Sequence, residues 1–261
     1  MKTFRFLPCS MGTILLVLLF SCNPDPPLWK NCQVEKEGAI IRTDTTQKEI
    51  NLVFTAHDFA DGFRTIIQVL REQDIKASFF LTGDFYRNPD NRDIINTLKR
   101  DDHYLGAHSG HHLLFCSWED RDSLLVSRGQ FINDLRNNYD AMKDFGITKE
   151  DAPIFLPAYE WYNRKIYEWT KEEGLTLVNF SPGTSSNADY TYPELGKSYM
   201  TADTIYNHIV QYEKKNGLNG FILLIHPGTD PRRPDKLYNR LDELITYLKS
   251  RGYRFTRIDE H

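Results

Sequence analysis

Asp102-His103-Tyr104-Leu105-Gly106-Ala107-His108-Ser109-Gly110-His111-His112 is the stretch on which the reading of this chain turns. The apolar run 104–107 is short and strand-like, and His108 stands at its end. His112 follows four residues later, and on a helical turn the two side chains would share a face. Two neutral imidazoles so placed reach one divalent ion at about 2.0–2.1 Å each. A third ligand from elsewhere would leave a position open for water, the catalytic form of such a site. The spacing alone is a weak signal, and what surrounds it carries the argument.

Short apolar runs alternate with amphipathic ones on both sides of this stretch. Periodicity predicts strands over 50–55, 77–81, 104–107, 153–156, 175–180, 221–225 and 253–258. Between them it predicts helices over 65–73, 93–99, 130–145, 163–173, 204–215 and 236–250, with Gly146 as the stop of the third. Such alternation implies parallel β/α units in an α/β fold, with catalytic groups at the carboxyl ends of the strands. His57-Asp58, His108, Tyr159 and His226 all fall just after a predicted strand, so one mouth would collect them.

Composition sets the outer bounds. The 261 residues suffice for one large domain, and 40% hydrophobic with 13% aromatic residues supports a sizeable core. A net charge of −4 with no basic block argues against nucleic acid as a partner. Arg232-Arg233, in a Pro-rich turn, reads as a solvated loop. Residues 1–21 read as a signal segment: Lys2 and Arg5 precede an apolar stretch from Gly12 to Phe20 that is too short to span a bilayer. Leu19-Phe20-Ser21-Cys22 resembles a bacterial lipobox, which implies cleavage before Cys22, a lipid on its sulfur, and a membrane-anchored protein of the cell envelope, at the outer membrane. Residues 22–37 form a Pro-rich tether and lead-in, and 38–261 the folded domain. Cys32 and Cys116 remain as a pair that could bridge or stay as free thiols.

The opening stretch and two further segments carry a family resemblance. Ile75-Lys76-Ala77-Ser78-Phe79-Phe80-Leu81-Thr82-Gly83, residues 102–112 and Gly220-Phe221-Ile222-Leu223-Leu224-Ile225-His226 occur in order and at sensible spacing. Together they resemble the polysaccharide deacetylases of carbohydrate esterase family 4, the NodB-homology domain, over roughly residues 38–258. The resemblance implies a distorted (β/α) barrel that binds one divalent metal ion (zinc, with cobalt or nickel as alternatives) and removes acetyl groups from a polysaccharide or peptidoglycan sugar.

It also implies roles. The family's TFDDG motif matches Thr55-Ala56-His57-Asp58, putting His57 at the general-base position and Asp58 at the metal-ligand position beside His108 and His112. A competing register uses Asp61-Gly62. The family's FRPPY motif matches Phe155-Leu156-Pro157-Ala158-Tyr159, and the backbone N–H of Tyr159 would serve the oxyanion. His226 would protonate the leaving group, oriented by Asp189. Two departures stand out: His57 replaces an aspartate and Leu156 the arginine that pairs with it. Loss of both partners is coherent, because an unpaired buried charge is costly. It leaves two readings open, an active deacetylase and an impaired barrel that binds metal and glycan without turnover. Glu160 replaces a glycine common in the family and would alter the rim of the cleft. Tyr159, Trp161, Tyr162, Tyr190 and Tyr192 are either a sugar-stacking rim or core.

Overall fold

The computed structural model describes Met1 and residues 29–260, so the signal segment, Cys22 and the first part of the tether lie outside the described residues. The strands are β1 Gln33–Val34, β2 Ile40–Arg42, β3 Glu49–Ala56, β4 Ser78–Leu81, β5 Tyr104–Ala107, β6 Ile154–Phe155, β7 Thr176–Leu177, β8 Phe221–Ile225 and β9 Arg254–Thr256. The helices are α1 Phe63–Glu72, α2 Gly83–Arg87, α3 Arg92–Arg100, α4 Arg128–Lys143, α5 Arg164–Glu172, α6 Ala202–Asn216 and α7 Leu241–Ser250. The sheet runs β1-β2-β8-β3-β4-β5-β6-β7, with β9 pairing β3. From β8 to β7 neighbouring strands are parallel, whereas β1 and β2 are antiparallel additions.

The barrel curls round until an isolated bridge, Ile40 to Val178, joins its two sides. Hydrogen bonds from Asn179 N–H to the Ile40 carbonyl and from Ser181 N–H to that of Ile222 extend this seam. Closure by single contacts rather than a full ladder is the distortion that the family resemblance implies. All eight residues of β3 and all five of β8 are buried, as expected of central parallel strands covered on both faces. Phe54, Phe63, Phe79 and Phe85 stack through the core between β3, β4 and the flanking helices.

Most predicted elements match to within a few residues. Two expectations are overturned, the first being the helical turn: residues 108–112 form an irregular loop. Ser109 (φ 81°) and His112 (φ 52°) are left-handed, which a helix cannot accommodate. The solvated reading also fails for Arg233, which is 1% exposed and donates to the carbonyls of Thr191 and Met200, while Arg232 stays outside on Asp230. Cys32 and Cys116 are both free thiols. Among the described residues no helix is long and apolar enough to cross a membrane.

Candidate active site

The loops that leave β3, β5, β6 and β8 surround a pocket of about 590 Å³. His57, Asp58, His108, His112, Tyr159, Glu160 and His226 all line it. The single mouth expected from strand topology is therefore where these groups meet.

Helix α4 shapes the histidine loop. Ser127 and Gln130 form a reciprocal capping box that starts the helix. One turn on, Asp134 and Asn138 project from the same face. Asp134 is buried and accepts from the Ser109 hydroxyl at 2.7 Å, the Gly110 N–H at 2.9 Å and the His111 N–H at 3.0 Å. Asn138 accepts the His108 N–H at 2.8 Å and donates to the Leu81 carbonyl, tying the ends of β4 and β5. These bonds satisfy the backbone that a helix would have satisfied internally, and the loop brings the His108 and His112 ring centroids to 5.3 Å.

His108 Nδ1 lies 2.9 Å from the Leu156 carbonyl, a contact that requires Nδ1–H and leaves the lone pair on Nε2. A backbone carbonyl behind one imidazole nitrogen is the usual support of a metal-binding histidine. Burial pushes His108 down to about 3 and His112 to about 2, neighbouring histidines adding to the effect, so both rings are neutral at physiological pH. Neutral imidazole is the ligating form.

His57 stacks on His112 with centroids 4.7 Å apart. Its Nδ1 is 3.1 Å from the Thr82 hydroxyl, which also caps α2 by accepting the Phe85 N–H. Its Nε2 is 3.2 Å from Asp58 Oδ1. Either tautomer compatible with these contacts, or the doubly protonated ring, aims no lone pair of His57 into the pocket. Asp58 faces outward at the lip, its side chain 68% exposed. The three ligands read from the sequence are thus only partly brought together: the two imidazoles meet, and Asp58 is turned toward His57. Among the described residues no three His, Cys, Asp or Glu side chains converge tightly enough, as they stand, to hold an ion.

Asp61, the competing register, is engaged elsewhere. It accepts from the Thr229 N–H at 2.9 Å and the Tyr238 hydroxyl at 2.5 Å and pairs with Lys236. Burial pushes its carboxyl up, but these three partners outweigh burial and hold it below the usual carboxylate range. It anchors the loop after β8, where Gly228 packs so closely on Phe59 that a Cβ would lie 2.0 Å from the Phe59 carbonyl oxygen.

Across the pocket, Asp189 is buried at 1% exposure and meets His226 Nδ1 at 2.6 Å. Burial would lower the His226 pKa, but the Asp189 charge and hydrogen bond, with Glu160 adding, raise it above the ordinary imidazole value. Tyr190 packs edge-on against the ring.

Glu160 is the residue whose position the sequence does not signal. Tyr159 (φ 60°) and Glu160 (φ 53°) are both left-handed. Such backbone costs about 1–2 kcal/mol per non-glycine residue and recurs at functional sites. It turns the Glu160 carboxylate inward instead of onto the rim, to 3.9 Å from His108 Nε2, with only 9% of the side chain exposed. Burial raises its pKa to about 6, against the opposing pull of His226 and the Thr55 hydroxyl. The aromatic residues divide: Tyr162 is core and Tyr159 and Tyr190 are exposed at the mouth. Trp118, not singled out in the sequence, is 57% exposed, stacks on Trp161 at 5.1 Å and meets Tyr159 edge-on.

A curled β/α barrel with histidines and carboxylates gathered at its strand ends is the form that the family resemblance implies. The polysaccharide deacetylase family model matches residues 42–178, just over half of the chain, and the chain belongs to that family. The peptidoglycan-N-acetylmuramic acid deacetylase PdaA of Bacillus subtilis is 26% identical over 240 residues, covering 91% of this chain and 80% of its own length. The structure of PdaA, a family 4 carbohydrate esterase, superposes with a TM-score of 0.65 at 24% identity, covering 86% of this chain and 85% of the other. A family 4 pseudoenzyme from Bacillus anthracis superposes with a TM-score of 0.66 at 18% identity, covering 87% of this chain and 69% of the other.

Proposed function

We propose that this protein is a metal-dependent hydrolase that removes acetyl groups from a glycan of the cell envelope, held at the membrane through a lipid on Cys22. The observation that carries the reading is the Asp189–His226 pair, facing the neutral His108 and His112 across one pocket. The two imidazoles would hold one divalent ion, zinc or alternatively cobalt or nickel. When bound, that ion supplies a polarised acetyl carbonyl and a more acidic water.

The chain's own groups do the rest. Asp58, at the lip and 3.2 Å from His57, takes the proton of the attacking water. His57 stands behind Asp58 and is itself steadied by Thr82. The base position read at His57 thus becomes a His57–Asp58 pair. The Tyr159 N–H donates to the oxyanion formed as water adds to the carbonyl. Collapse breaks the bond to the sugar nitrogen or oxygen, and His226 delivers its proton to that atom, giving acetate and the free amine or hydroxyl. Asp189 accepts the Nδ1–H, so the proton that His226 delivers is the one on Nε2, facing the leaving group. The exposed faces of Trp118 and Tyr190 suit the apolar faces of pyranose rings.

The test is acetate release from a panel of N- and O-acetylated glycans by zinc- or cobalt-treated protein, with Asp58→Asn and His226→Ala as controls. Metal-dependent release that both substitutions abolish is the expected result. No release from any glycan by protein that contains metal would overturn the hydrolase reading in favour of a binding protein, a reading that the substituted base position favours.

A further inference from the structure

We propose that Glu160, and not Asp58, supplies the carboxylate of the metal site, so that the ligands are His108, His112 and Glu160. This rests on the metal dependence proposed above and names the site's third ligand. Four observations support it. First, the Leu156 carbonyl occupies Nδ1 of His108, so the lone pair on Nε2 faces the side on which Glu160 Oε1 lies, 3.9 Å away. Second, the consecutive left-handed residues Tyr159 and Glu160 hold the carboxylate inside against backbone strain. Third, among the described residues no lysine or arginine lies within ion-pairing distance of Glu160, and His226, whose charge is felt there, is already paired with Asp189. A buried carboxylate needs a compensating positive charge, and a divalent ion between it and two neutral imidazoles supplies one. Fourth, Asp58 is turned to solvent and committed to His57.

Donors about 2.0–2.1 Å from a tetrahedral ion stand about 3.4 Å from one another. The His108–Glu160 separation exceeds that by about half an ångström, a movement within reach of glutamate torsions. Both imidazoles come from the loop after β5 and the carboxylate from the loop after β6. A position that the family commonly fills with glycine has then become a ligand, and Asp58 is released to work with His57.

The test is equilibrium dialysis against Zn²⁺ and Co²⁺, with the visible absorption of the cobalt protein as a second readout. Wild type and Asp58→Asn are expected to bind one equivalent with the same cobalt spectrum. Glu160→Gln should bind at least about 10-fold more weakly, with an altered spectrum. Glu160→Gly guards against misfolding as the cause, because it relieves the left-handed strain and should melt no lower than wild type while still losing the metal. Unchanged binding and spectrum in Glu160→Gln would overturn the proposal. So would loss of metal in Asp58→Asn, or a wild type that binds none. Metal bound in the expected pattern without acetate release from any glycan would support the ligand assignment and overturn the hydrolase reading instead.

Discussion

Asp189 holds His226 at two points, Oδ1 meeting the ring Nδ1 at 2.6 Å and Oδ2 accepting the backbone N–H at 2.9 Å. One buried carboxylate thus sets both the strand-end backbone and the ring of the proposed acid. Its charge is what overcomes burial and keeps the His226 pKa raised. Asp189→Asn should therefore lower the pH at which activity is lost on the alkaline side, because the ring then gives up its proton earlier. His226→Ala should cost roughly 10²–10⁴-fold in kcat. Acetate release measured against pH checks both; an alkaline limb unmoved in Asp189→Asn would remove His226 from the acid's role.

The same pair bears on stability. A histidine whose folded pKa is raised stabilises the fold fully below its unfolded value of 6.5, and the contribution disappears as pH rises through the folded value. His103 acts in the opposite sense. It is buried, accepts the Ala77 N–H on Nδ1, and burial pushes it down to about 4. Below pH 6.5 the unfolded ring takes up a proton that the folded ring refuses until about pH 4, so stability falls with pH across that window. The full loss is on the order of 3 kcal/mol. His103→Asn, which keeps an acceptor for Ala77, should flatten the decline, measured as urea midpoints from pH 7 to pH 4.

Trp118 projects at the mouth, 57% exposed and stacked on Trp161. Of the proposed reacting residues it meets the ring of Tyr159 alone, whose backbone N–H is the oxyanion donor, and that ring also packs on His112. Removing it should weaken ground state and transition state alike. Trp118→Ala is expected to raise KM by roughly 10-fold with kcat little changed. An equal fall in kcat and kcat/KM would instead place Trp118 in the support of Tyr159.

What was legible in the sequence, and what was not, follows from range. β3, β4, β5 and β8 are mostly apolar stretches of four to eight residues, and parallel topology places whatever follows them at one mouth. That is why His57, Asp58, His108 and His226 could be gathered from the sequence, whereas Tyr159, after the two-residue β6, was reached through its motif. β1 and β2, at two and three residues, are too short to show a period. The closing contact of Ile40 with Val178 joins residues far apart in sequence and has no local signature. Glu160 escaped because its direction depends on φ at two ordinary residues. A glutamate in the left-handed region looks the same in sequence as one pointing to solvent. Asp58 escaped for a related reason: motif register locates its Cα, whereas its carboxylate is turned by the neighbouring His57.

Asp134 is the clearest case of a distant determinant, and it yields a prediction of its own. Three donors of the loop 109–111 end on this one buried carboxylate, and the left-handed Ser109 and His112 persist because that loop is held. Asp134→Ala would leave buried donors without partners, at a cost on the order of 3 kcal/mol. It should also free His112 from its place beside His108. The expected outcome is a lowered urea midpoint together with loss of zinc uptake, although Asp134 touches no ion. Asp134→Asn separates the two effects. An amide can still accept one or two of the three bonds, so most stability should return, while the mismatched third contact should keep metal affinity below wild type. Full metal affinity in Asp134→Ala would show that the histidine pair holds its geometry without the loop, and that the strain at His112 is sustained by something other than α4.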